Sequence, residues 1–277
     1  MTTITSPETT QPASTKAPGV YAPATRSAGD VLNALPLTLK SEWVKASTIL
    51  SNKVVLGLAV AVSGGMTWAV ANFVTDEVLT VAEVFAFGTI FTAVFAAIGG
   101  ILMYASEAQH GTMAPTLTAQ TSRVVVASSK AVTAAGFGLL VGISGLIAGI
   151  GGSQLGGIAM GDTSTMLGDG GRALLFTALA SILGVGVGMI ARHSTAAISG
   201  LLVWWLVVEN LLNAFVVERW ARFLPFTAGN GLLGTSSGPN PDQDLALSLT
   251  ENGLVFGAYA AVALTIGTVF FCRRDNN

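Results

Sequence analysis

ALLFTALASILGVGVGMIARHSTAAISGLLVWWLVVENLLNAFVV, residues 173–217, is two apolar runs broken only by Arg192, His193 and Ser194. Each run approaches the roughly 20 apolar residues that cross a bilayer as an α-helix. The three residues between them therefore mark a short turn at one membrane face. Four further segments have the same character: 54–73, 81–104, 131–150 and 253–271. The sequence thus predicts an all-α membrane protein with six transmembrane helices, the fourth (173–191) and fifth (195–217) forming a hairpin. Composition agrees, since 51% of residues are hydrophobic and only 10% charged, against about 25% charged in soluble domains. Small residues four apart, Gly145/Gly149 and Gly184/Gly188, suit close helix approach in lipid, where apolar burial does not join helices.

Upstream of the first span the character changes twice. Residues 1–30 are rich in Thr, Ser and Pro, with Pro7, Pro12, Pro18 and Pro23 breaking any helix, and read as a disordered cytoplasmic tail. Over 31–50, Leu35, Leu39, Trp43, Ala46 and Leu50 recur at helical spacing, with Lys40 and Lys45 off that stripe. This reads as an amphipathic helix at the membrane surface, its lysines among anionic head groups, with Leu39, Lys40, Trp43 and Lys45 as its anchors. Glu42 and Val44 interrupt the pattern. Residues 51–277 form the six-helix transmembrane domain.

The connections are a polar segment at 105–130, a Gly-rich loop at 151–172 and a long stretch at 218–252. Ten of the 13 basic residues fall on the side of the tail, the 105–130 segment, the 192–194 turn and the C-terminus, leaving Arg172, Arg219 and Arg222 on the other. The positive-inside rule then places both termini in the cytoplasm. Cys272, the single cysteine, permits no intrachain disulfide. A net charge of -2 without a basic cluster argues against nucleic acid. No Gly-x-x-x-x-Gly-Lys-Ser/Thr loop cradles ATP, and His110 and His193 stand alone, so neither catalytic nor metal residues are assigned.

Two places carry polar groups that need a reason. In the 105–130 segment, Glu107 is placed to end the second span at the water interface, Gly111 to turn sharply, and Thr112 or Thr116 to cap a short helix. Arg123 and Lys130 would anchor the next span at the head groups. Inside the fifth span, Glu209 is an acid with Asn210 and Asn213 nearby. A charge at mid-bilayer costs about 2.5–3.5 kcal/mol on insertion scales. Glu209 should therefore face the translocation path, a dimer interface or a structural partner in the same subunit.

Three stretches together resemble a known family. They are Leu39-Lys40-Ser41-Glu42-Trp43-Val44-Lys45, the run from Ser106 to Leu117 followed by Ser122-Arg123 and Lys130, and Ala191-Arg192-His193-Ser194-Thr195-Ala196-Ala197 with Glu209 beyond. In this order they are similar to the permeases of the type-two ABC exporters, especially actinobacterial members. The chain departs from that family's aromatic or basic residues after the glutamate, having Ala108 and Gln109. The resemblance implies a six-helix exporter permease in a bacterial plasma membrane, not itself an enzyme, paired with a second copy or a related chain. It further implies two cytoplasmic ATPase subunits that carry ATP and Mg, and coupling through Glu107, Gly111, Thr112, Thr116 and Arg123. An ion-coupled secondary transporter, or a non-transporting membrane scaffold or sensor, are the other readings of the same chain.

Overall fold

The computed structural model describes residues 28–74, 80–158, 163–216, 218–234 and 246–273. The expected tail lies outside them except for its last three residues, which already belong to helix α1. Among the described residues the order is α1 (Ala28–Thr48), α2 (Leu50–Phe73), α3 (Val81–Gln109), α4 (Met113–Ala119), α5 (Arg123–Leu155) and α6 (Thr163–Ala191), then α7 (Ser194–Val203), a π-helical turn (Trp204–Val208), α8 (Glu209–Phe215), α9 (Glu218–Ala221), α10 (Pro225–Leu232) and α11 (Leu249–Arg273). Six helical stretches are long and apolar enough to cross a membrane: α2, α3, α5, α6, the continuous run α7 to α8, and α11.

The helices begin and end where side chains satisfy backbone groups. Thr80 and Glu83 form a reciprocal cap at the start of α3, and Ser248 with Glu251 does the same for α11. The hairpin between α6 and α7 turns on Arg192, whose φ of 58° is left-handed; the expected three-residue turn is as short as the sequence implied. Two boundaries differ from the sequence reading. The glycines of 151–172 do not make a loop throughout, since α5 continues to Leu155 and α6 starts at Thr163. Gly152 shows why helix survives there: a Cβ on it would stand 2.2 Å from the Gly64 carbonyl oxygen. The glycine is spent on close packing of α2 against α5 and not on a turn.

α3 is the centre of the bundle, with 72% of its apolar window buried, whereas the α7–α8 run has 17% buried. Its tightest neighbour is α6. A Cβ on Gly100 would lie 2.0 Å from Ser181 O, and one on Gly184 would lie 2.0 Å from Ala97 O, so each backbone fits the other's missing side chain. At one end of the bundle Tyr104 packs edge-on against Phe271. At the other, Phe176, Phe256, Phe226 and Trp205 form a chain of ring contacts that seats α10 against α6, α11 and the π turn. The α4 end and the α10 end are thus opposite faces of a six-helix bundle.

Candidate functional site: a closed ring of four charges beneath α4

α1 turns a polar face to the bundle. Thr38, Glu42 and Ala46 are buried at four-residue spacing, and Leu37, Trp43 and Val44 are exposed. Glu42, which broke the expected apolar stripe, is the residue that fixes α1 in place. One of its carboxylate oxygens meets Lys45 Nζ at 2.5 Å and the other meets Lys130 Nζ at 2.8 Å. Glu107 Oε1 closes the circuit, 2.9 Å from Lys130 and 3.1 Å from Lys45. Two acids and two ammoniums alternate around a neutral ring drawn from α1, α3 and α5.

Both lysines have a full set of acceptors for their three N–H donors. Lys130, completely buried, adds the Met103 carbonyl at 2.9 Å. Lys45 adds Thr116 Oγ1 of α4 at 3.2 Å. Burial alone would raise the Glu42 pKa, but the Lys130 charge and hydrogen bond, helped by Lys45, hold it below the usual carboxylate value. Burial would lower that of Lys45, and Glu42 and then Glu107 outweigh it, leaving the ammonium above its ordinary value.

The expectation for Lys130 is therefore corrected. It does not reach the head groups but sits two turns inside α5 against two carboxylates. Lys45 reaches the same two carboxylates with its side chain still about a third exposed (32%). An ammonium with an acidic partner inside the bundle has no need to snorkel.

α4 rests on this ring. Gly111 at φ 71° turns the chain after α3, as expected. The Thr112 N–H and hydroxyl bond to the Glu107 carbonyl, so Thr112 stands at the start of α4 without a side-chain cap of its own. Thr116 lies within α4 and receives Lys45. Met113 is buried among Val126, Ala127 and Tyr104. Ala114, Pro115, Thr118 and Ala119 face outward. Arg123 takes another role, donating to the Phe271 carbonyl at 2.8 Å and to that of Cys272 at 3.4 Å, which closes the C-terminal end of α11. Of the α1 residues singled out in the sequence, Lys40 is exposed, Leu39 half-buried, and Trp43 lays its ring over Gly136 of α5.

No protein-family model matches the chain, and no curated protein matches it.

The intramembrane polar group lies at the other end. Glu209 is 2% exposed and takes the backbone N–H and the hydroxyl of Thr227, the latter at 2.8 Å. Asn213 donates to the same hydroxyl at 3.0 Å. Asn210 points outward and donates to the Trp205 and Leu206 carbonyls. The π turn explains how Glu209 comes to face inward. Ala197, Leu201, Trp205 and Glu209 are spaced by four, and in a 3.6-residue helix such a row drifts about 40° per step. The wider π turn takes up the excess and returns Glu209 to the buried face. Sequence reasoning missed Glu42, Lys130 and Thr227 as partners. The signal available was the i, i+3 pair Glu42/Lys45 and a lysine inside the apolar context of α5.

Proposed function

We propose that this chain is the membrane-spanning permease subunit of an ATP-driven ABC exporter, receiving its drive from a separate cytoplasmic ATPase that docks on α4. The observation that carries the reading is a short surface helix presenting Ala114, Pro115, Thr118 and Ala119 outward while a buried ion ring braces it from behind. A pushed element needs a stiff backing, and few groups resist displacement like paired charges in a low-dielectric interior, where separation exposes each to an unpaired burial cost. In this reading α4, the 192–194 turn and both termini lie in the cytoplasm of a multi-pass plasma-membrane protein. The exposed Leu37, Trp43 and Val44 of α1 lie in the lipid interface, and a second permease copy completes the pathway near Asn210. ATP and Mg belong to the partner.

Gly111→Pro tests this directly. Proline holds φ near -65°, which the left-handed turn before α4 cannot accept. The variant should insert and fold while partner ATP hydrolysis no longer drives transport; normal transport would remove α4 from the mechanism. An ion-coupled carrier is the second reading, favoured by the buried Glu209. It requires uptake or efflux that follows an ion gradient with no ATPase present.

A further inference from the structure

The fifth span is attached at both ends and loosely held between them. At the α4 end, Gln109, the last residue of α3 and two before the Gly111 turn, accepts hydrogen bonds through Oε1 from the Ser194 hydroxyl at 2.6 Å and the Ser194 N–H at 3.3 Å. Ser194 is the first residue of α7. At the far end the same span holds α10, through Glu209 to Thr227 and through Trp205, whose ring centroid is 6.0 Å from that of Phe226. Between these points the span is the least buried of the six, with 17% of its window covered. Its inward contacts are Ala197, Ile198, Leu201, Leu202 and Trp205, the last set edge-on against Phe91 of α3. The run of 22 residues is about 33 Å long.

We propose that α7 to α8 is a lever through which Gln109 positions α10, so that a shift of the α3–α4 corner at one membrane face unseats the Pro225–Leu232 helix at the other. This rests on the reading of α4 as the element that receives an outside push. Gln109 and Ser194 are positioning residues at the near end, and Glu209 and Thr227 form the latch at the far end. The π turn keeps Trp205 and Glu209 on the same inward face, so movement of α7 reaches both contacts with α10 together.

The test uses the purified full chain in lipid nanodiscs with no ATPase present. Cys272→Ser removes the native thiol, and Ala228→Cys, at a fully buried position of α10, reports unseating through its rate of maleimide labelling. Gln109→Ala and Ser194→Ala should each speed labelling about fivefold, the population change that one ordinary hydrogen bond controls. Gln109→Ala removes both bonds and Ser194→Ala only that of the hydroxyl, so the double variant should go no further than Gln109→Ala alone. Gln109→Glu keeps the acceptor oxygen and should label at the parental rate, as should Ser128→Ala, at an exposed position of α5 away from the lever. Parental rates in both alanine variants, effects that add in the double variant, or fast labelling in Gln109→Glu would overturn the lever. Because no partner is present, these rates decide the lever alone; whether an ATPase docks on α4 is decided separately.

Discussion

Lys130 Nζ lies 2.8 Å from Glu42 Oε2, across 88 residues of sequence, and this contact joins the surface helix α1 to the interior of the bundle. Neither residue has an alternative in water. Lys130 is sealed inside α5, and Glu42 is the residue of α1 that reaches it. The arrangement makes the ring all-or-none, because deleting one member leaves the other three with a net charge in a buried place.

That charge balance can be measured. Lys130→Met leaves two carboxylates facing one ammonium and should cost about 3–5 kcal/mol of stability, the usual penalty for an orphaned buried charge. Glu42→Gln should cost a similar amount with opposite residual charge. The double variant restores neutrality with Lys45 and Glu107, so its loss should be smaller than the sum of the two. Thermal unfolding of the four proteins in one detergent gives the cycle, and strict additivity would mean the two residues do not share a site.

The ring also sets a pH window. The Glu42 pKa is lowered in the folded chain from 4.5, so its contribution is present above that value and is lost as pH falls through the lower folded one. The Lys45 pKa is raised from 10.5, so its contribution is complete below 10.5 and is lost as pH rises through the higher folded value. Hydrogen exchange of residues 38–48, corrected for intrinsic rates, should be slow and flat between about pH 5 and 10 and accelerate in acid below this range. Acceleration near neutrality would show that Glu42 and Lys45 do not hold α1.

Much of this fold is legible in the sequence, and the reason is the solvent. A helix in lipid must be apolar for about 20 residues, so six such runs were visible, and the turn at Arg192–Ser194 was forced by having only three polar residues to make it. Helix ends were less visible, because hydropathy marks where hydrocarbon stops and not where backbone hydrogen bonding stops. α5 therefore continues through Gly151 and Gly152 to Leu155. At the site, the Gly111 turn and a short helix after it were legible, but the expected cap was not there, since the Thr112 hydroxyl bonds back to Glu107 and Thr116 receives Lys45. Glu42 was not, since its meaning depends on Lys130, and periodicity describes only neighbours on one helix. Glu209 stood out as an acid in an apolar run. Its partner Thr227 did not, because a π turn and a return of the chain through α9 bring the two together.

For Glu209 the two substitutions separate charge from hydrogen bonding. Glu209→Gln keeps an oxygen for the Thr227 N–H and hydroxyl and should unfold within about 1 kcal/mol of the parent. Glu209→Leu takes the acceptor from the Thr227 N–H, leaving the hydroxyl only Asn213 Oδ1 at 3.4 Å, and should lose about 1–3 kcal/mol. α10 should then become sensitive to protease in the leucine variant alone. Equal stability of the two variants would mean that the carboxylate does not hold α10.

If α4 is the surface on which an ATPase pushes, a photo-crosslinker placed on that helix should capture the ATPase. With benzoylphenylalanine in place of Thr118, which faces outward from α4, irradiation of membranes from the native host should yield one main protein adduct, and that adduct should be an ATPase chain whose cross-linking yield changes when ATP is added. Adducts with lipid alone, or with proteins that bind no nucleotide, would contradict the account.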